Sequence, residues 1–256
     1  MPAARVTELP LPSALLEVLG ATSVRAVPDP DPARLVPLLR DLADEDCGHS
    51  WRTSLHRDAA HPPAERAARL LQREQAMRPT TVWLYVAAGP DGERPLAVAT
   101  LSDRVRADFP HEGFPVLARA YVAPRARGHG LYRHLVLHRL GRCQAHWGRR
   151  LRAVHIGAAD RPVDQTINRT DLPLRFVYVG DEGLRVAGRT WRVRDYVAFT
   201  PSFLRSMPSS PPSLRAFMEN GADAVPYGAL RPLIAHPLAP GPRQLRDLLD
   251  AIGVLP

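Results

Sequence analysis

Between Val116 and Trp147 the chain must pass from strand to helix through a loop with two glycines, and this passage limits the possible folds more than any other stretch. Val116 to Val122 is rich in β-formers, and Pro124 ends the strand because proline has no amide to give to a sheet. The loop Arg125-Ala126-Arg127-Gly128-His129-Gly130 follows. The spacing of apolar residues then predicts a helix from about His129 to Trp147, stopped by Gly148. Tyr132, Val136, Leu140, Cys143 and Trp147 share one face of that helix, which reads as core packing. Gly128 and Gly130 remove side chains that would block approach to the loop amides, and they allow dihedrals that other residues resist. The first-turn amides of the helix have no partners within it, and its dipole is positive at that end. Together these features predict an anion cradle.

The surrounding pattern supplies a frame for this passage. Ser23 to Val27 reads as a strand. Asp31 is suited to cap a helix from Ala33 to Glu45, with Pro32 at its first position and Leu35, Leu38, Leu39 and Leu42 as its buried stripe. A second helix is predicted from Pro63 to Ala76, with Ala67, Leu70 and Leu71 inward and Pro79 beyond its end. Thr81 to Ala88 and Pro95 to Arg104 read as a hairpin about the turn residues Gly89 to Glu93. Leu151 to Ala158 is a strand, so strand, loop, helix and strand make a parallel crossover. Farther on, Val163 to Asn168 holds a helical turn, and Phe176 to Val179 and Trp191 to Phe199 are β-rich. The organisation expected is a leader over 1–22, one domain over 23–199 and a Pro-rich, partly helical extension over 200–256.

The chain carries 34 basic residues against 26 acidic ones, and every basic residue is arginine. Absent lysine excludes Schiff-base and lysine-nucleophile chemistry and the phosphate loop of nucleotidases. Nine arginines and no carboxylate lie between Val116 and Arg152. Arg149, Arg150 and Arg152 complement a helix C-terminus, so only Arg125 and Arg127 favour a bound anion at the loop. A dinucleotide fold would want an acidic residue about 20 positions after its glycines, and none occurs before Asp160.

The run Arg125-Ala126-Arg127-Gly128-His129-Gly130, preceded by Tyr121-Val122-Ala123-Pro124, resembles the acyl-CoA-binding motif of the GNAT superfamily of acyl-CoA-dependent N-acyltransferases. The order of elements is similar as well, over roughly Ser23 to Phe199. The resemblance implies an α/β fold with a mixed, mostly antiparallel central sheet flanked by helices and a V-shaped splay beside the motif strand. It implies that the backbone of Ala120, Tyr121 and Val122 pairs with the pantetheine arm of acetyl-CoA or another acyl-CoA. The amides of Arg127, Gly128, His129, Gly130 and Leu131 would hold the pyrophosphate, with Arg125 flanking the loop and Tyr132 counted with the cofactor-binding stretch although core packing also accounts for it. The implied reaction is direct acyl transfer to an amine in a ternary complex, with a base for the amine proton and an acid for the thiolate.

Many family members place a glutamate on the motif strand, and Val116 to Val122 has none. The candidates for the base are therefore Asp103, Asp108, His111 and Glu112 before that strand, and His155 on the following one. The pair His111-Glu112 is attractive for its position, although a surface loop accounts for it more simply. His155 alternates with Val154 and Ile156, so it faces either the cleft or a partner on the sheet. The resemblance points to Tyr178 as the acid, although the family's spacing is not reproduced.

The acceptor expected is a small-molecule amine, with a peptide amine as the alternative. Rival functions are O-acyl transfer or decarboxylation of a malonyl thioester on the same fold, and a non-catalytic module that senses CoA or binds nucleic acid. The nucleic-acid reading is disfavoured because no basic-aromatic platform occurs. Cys47 and Cys143 are too few for a disulfide scaffold or a four-thiolate zinc site, and the histidines at 129, 134 and 138 lack completing ligands, so no metal is expected. No apolar run approaches membrane-spanning length, and Glu8 and Glu17 argue against a secretory signal, so no membrane partner and a cytoplasmic location are expected. The extension over 200–256 is the expected contact of a homodimer.

Overall fold

The computed structural model describes residues 5–77, 79–103, 111, 113–159, 161–167, 172–174 and 176–200. These fall into two compact units interleaved along the chain. The first takes the described residues up to 103, then 117–142 and 184–191. The second takes those of 111–116, 143–183 and 192–200.

In the first unit the strands are β1 (Thr7–Glu8), β2 (Ser23–Pro28), β3 (Thr80–Gly89), β4 (Gly92–Ser102) and β5 (Val116–Val122, counted from Leu117), and they lie side by side in that order. Neighbours from β1 to β4 are antiparallel. The hairpin β3–β4 is tighter than the glycines suggested, because Gly89 and Gly92 pair across a two-residue turn. The leader is part of this unit: β1 is an edge strand, and Leu9, Leu15 and Leu19, around α1 (Ser13–Val18), are buried.

One face of this sheet carries α2 (Pro32–Asp44), α3 (Trp51–Arg57) and α4 (Pro63–Met77). Asp31 caps α2 as expected, its carboxylate accepting the Ala33 amide at 2.8 Å. The stripe Leu35, Leu38, Leu39 and Leu42 packs with Leu70 and Leu71 of α4 over Val82, Leu84, Val86 and Val98. Alternate residues of β3 point the other way: Trp83 and Tyr85 meet His138 of α5 (Leu131–Trp147), the rings standing nearly perpendicular. α3 was not foreseen. Its seven residues carry too short a period to stand out, and it is held by burying Trp51 and Leu55 in the same core.

In the second unit β6 (Ala153–Ala158) pairs antiparallel with β8 (Arg189–Phe199, counted from Arg192), and β7 (Val177–Val186, counted to Gly183) lies beside β8. A parallel bridge joins Gly113 to Leu151, and the His155 amide donates to Pro115 O at 3.0 Å. Mixed, mostly antiparallel pairing flanked by helices is thus what the strands adopt. β7 is longer than its sequence suggested, because a turn at Ala187–Gly188 lets it run on to Val186. The proposed extension over 200–256 lies, apart from Thr200, outside the described residues.

Gly113 sits flat against the Trp147 indole, and a Cβ there would overlap the ring. Both belong to the second unit. Gly113→Ala is therefore expected to destabilise the protein by ~1–3 kcal/mol, the usual cost of overpacking, in a urea unfolding experiment. An unchanged midpoint would show that the indole moves aside freely.

Candidate functional site

The site of interest begins in the middle of β5. Arg119 has φ +49°, a left-handed conformation that costs a non-glycine residue ~1 kcal/mol or more. The regular in–out alternation of the strand is lost there: Ala118, Arg119 and Ala120 are all half-buried, and Tyr121 and Val122 are both buried. The residue is held from several sides. Its guanidinium pairs with the buried Glu74 of α4 at 2.9 Å. The preceding carbonyl, Ala118 O, accepts the Thr100 hydroxyl at 2.9 Å and Arg139 Nη1 at 3.4 Å.

After β5 the Ala123 amide donates back to Leu96 O at 2.8 Å, and Pro124–Ala126 form one 3-10 turn. The loop then runs exposed from Arg127 to Gly130, and α5 begins at the buried Leu131. Gly128 and Gly130 have φ +83° and +80°, so both need the freedom that glycine has. A Cβ built on either meets no atom within 4 Å, so the space over these two residues is open. Arg133 is the first helical amide to turn back, onto Gly130 O at 3.1 Å. Before it lie amides at the positive end of a 17-residue helix. This is the stretch where the sequence reading expects an anion cradle: Ala120, Tyr121, Val122, Gly128, His129, Gly130, Leu131 and the half-buried Tyr132 lie along it.

The two arginines that flank the loop already have partners. Arg127 makes a bidentate pair with Glu45, at 2.6 and 2.7 Å, and its Nε donates to Val122 O at 2.9 Å. The Tyr121 hydroxyl donates to the same carboxylate at 3.0 Å, and the Arg127 guanidinium lies over the Tyr121 ring. Arg125 donates to Pro95 O at 2.7 Å. Any anion held here is therefore held chiefly by backbone amides, and the arginines shape the loop. Bonding to Arg127 holds the Glu45 carboxyl below the usual carboxylate range against the opposing effect of burial. Burial and the Glu45 bond push the Tyr121 hydroxyl well up.

Glu45 follows the last residue of α2 and opens a loop that also carries His49. His49 Nδ1 accepts the Trp51 amide at 3.3 Å, and the imidazole stands edge-on to Tyr121. Burial pulls its pKa down to about 4. His138 behaves alike: it bonds the Tyr85 hydroxyl at 3.1 Å, and burial lowers it to about 4. Glu45, His49 and Arg139 were not foreseen as site residues. Arg139 had a sequence signal, since it lies four residues from both Leu135 and Cys143 on the buried face of α5. Glu45 and His49 had none, because their partners are some 70 to 80 positions away.

The residues expected to do acid–base work belong mostly to the second unit. His111 is exposed. Glu112 lies outside the described residues, as does Asp108, and Asp103 is buried at the end of β4. His155 is half-buried on β6, with Nε2 3.3 Å from Asp195 Oδ1 on β8 but without hydrogen-bond geometry, so it has a carboxylate neighbour within its own unit. Tyr178 lies in β7. Among the described residues no cluster of three or more His, Cys, Asp or Glu has metal-site geometry, and no described helix is long and apolar enough to cross a membrane.

No protein-family model matches the sequence, and no curated protein does. The chain is similar to solved acetyltransferase structures. One is RimL, a ribosomal L7/L12 alpha-N-protein acetyltransferase in complex with coenzyme A, with 12% identity, 72% of this chain and 97% of that one covered, and a TM-score of 0.47. Another is a ribosomal-protein-alanine N-acetyltransferase from Brucella melitensis, with 20% identity, 69% and 99% covered, and a TM-score of 0.46. A third is a probable acetyltransferase of the GNAT family from Chromobacterium violaceum, with 15% identity, 69% and 87% covered, and a TM-score of 0.47.

The two low imidazole pKa values give a direction to the pH dependence. A histidine at about 4 in the fold and 6.5 when unfolded binds more protons unfolded, so stability falls as pH drops from 6.5 towards 4. Each group adds up to ~1.4 kcal/mol per pH unit in that window. Glu45 acts in the same sense at lower pH, because its stabilisation is lost as pH falls through its depressed folded pKa. Urea unfolding at pH 7, 6, 5 and 4 is expected to show a steady loss, made shallower by His49→Gln and by His138→Gln. A flat profile down to pH 4 would mean that neither imidazole is kept neutral by the fold.

Proposed function

We propose that this chain is an acyl-CoA-dependent N-acyltransferase of the GNAT type, with acetyl-CoA as the donor and a small-molecule amine as the acceptor. The observation that carries this reading is the open loop of two left-handed glycines, Gly128 and Gly130, set between a distorted strand and the start of a long helix. Such a loop offers amides to a pyrophosphate without a side chain in the way. The strand that leads into it offers backbone at Ala120 to Val122 to the pantetheine amides, in the manner of an added strand.

In this reading the protein's work is orientation and charge stabilisation. Amides at the start of α5 hold the pyrophosphate, and β5 aligns the thioester beside the acceptor. The amine attacks the thioester carbonyl, the C–S bond breaks, and the amine proton passes to a base while the thiolate gains one. β5 has no carboxylate, so the base comes from another element. His111 and His155 are the first candidates to test, with Glu112 behind them, and Tyr178 is the candidate acid. A cytoplasmic location and pairing through residues 200–256 complete the proposal.

The deciding measurement is calorimetric titration of the full chain with CoA and acetyl-CoA at two salt concentrations. Stoichiometric 1:1 binding of both is expected. Its salt dependence should be shallow, because amides rather than free arginines contact the phosphates. Gly130→Trp should abolish binding, since the indole fills the open space and the left-handed backbone at φ +80° is strained for it, while the fold survives because the strain falls on an exposed loop. A folded Gly130→Trp that binds CoA like the parent would remove the loop from the site.

A further inference from the structure

One charged side chain in the first unit has no role in the reading so far. Arg139 lies in the middle of α5 and is completely buried, at 0% exposure. Among the described residues it forms no ion pair with a carboxylate. Its Nε donates to Leu135 O at 3.2 Å, and its Nη1 to Thr100 O at 3.2 Å and Ala118 O at 3.4 Å. Nη2 is buried without a partner. A guanidinium is costly to bury, and an apolar residue would satisfy the same helix face at no such cost. What the arginine does that leucine could not do is reach two carbonyls on neighbouring strands, β4 and β5, at one time.

One of those carbonyls immediately precedes the left-handed Arg119. Ala118 O has two lone pairs, and they accept the Thr100 hydroxyl and Arg139. The peptide before the distortion is thereby held by one side chain from β4 and another from α5, the helix whose start forms the cradle. Reversing φ at Arg119 resets the direction of the strand after it, which is Ala120 to Val122.

We infer that Arg139 and Thr100 are positioning residues, which fix the distorted peptide at Ala118–Arg119 so that Ala120 to Val122 present their backbone to the pantetheine arm of CoA. The inference rests on the proposed acyl-CoA reading and adds to it the residues that aim the strand. It separates two halves of one ligand. The cradle at Gly128 to Leu131 serves the nucleotide phosphates, and the strand aimed by Arg139 and Thr100 serves the arm.

The test compares two ligands on the full chain by calorimetry: CoA, and ADP bearing a 3′-phosphate but no pantetheine arm. Thr100→Val and Arg139→Met are each expected to weaken CoA about tenfold, the worth of roughly one hydrogen bond lost on the ligand side. Binding of 3′-phospho-ADP should stay within about twofold of the parent. Thr100→Ser keeps the hydroxyl and should bind CoA like the parent. Thr100→Val answers the question if Arg139→Met fails to fold. If the parent binds CoA and a folded Thr100→Val binds it equally well, the inference is wrong. It is also wrong if both ligands weaken together, because that marks general loosening of the core. If the parent binds neither ligand, the acyl-CoA reading itself fails and this inference falls with it.

Discussion

A single carboxylate ties the candidate site together. Glu45, next after the end of α2, accepts two bonds from Arg127 and one from Tyr121. Those three contacts join the first long helix, the strand β5 and the glycine loop. Charge-assisted bonds of this length are stronger than neutral ones, and the bidentate fork fixes direction as well as distance. Arg127 Nε on Val122 O then pins the loop to the strand that it leaves. The amides from Gly128 onward are presented in one place because the residue before them cannot swing away.

This arrangement changes the meaning of the arginine excess around the loop. Taken as charge alone, Arg125 and Arg127 look like counterions for a phosphate. In the fold both are occupied, one by a carboxylate and a carbonyl, the other by Pro95 O. In the proposed reading an anion would then be recognised by backbone geometry, which is less sensitive to salt than exposed cations are. Arg139 continues the theme inside the protein, where a buried cation serves carbonyl oxygens and not a ligand.

Much of the frame was legible because it depends on local periodicity and punctuation. The leucine stripe of α2, its Asp31 cap, the hairpin glycines and the strand–loop–helix passage at Pro124 to Leu131 are each encoded within a few residues, and each formed where its pattern lies. The glycine loop was legible for the same reason, since left-handed positions at 128 and 130 demand that residue type. α3 escaped because two turns of helix carry no readable period, and β7 was cut short because its turn residues and its length are set by pairing with β8.

The sequence by itself therefore determined the strand–glycine–helix unit and the apolar faces of the helices, since both follow from the conformational limits and hydrophobic spacing of neighbouring residues. The tertiary structure decided which charges are spent within the fold. Glu45 meets Arg127 across 82 positions, Glu74 meets Arg119, and Arg139 reaches carbonyls on two strands. Nothing in the local chemistry of an arginine says whether it will face a ligand, a carboxylate or a carbonyl. That is fixed only when the folded backbone brings distant residues within hydrogen-bond reach and removes the water that would otherwise solvate them.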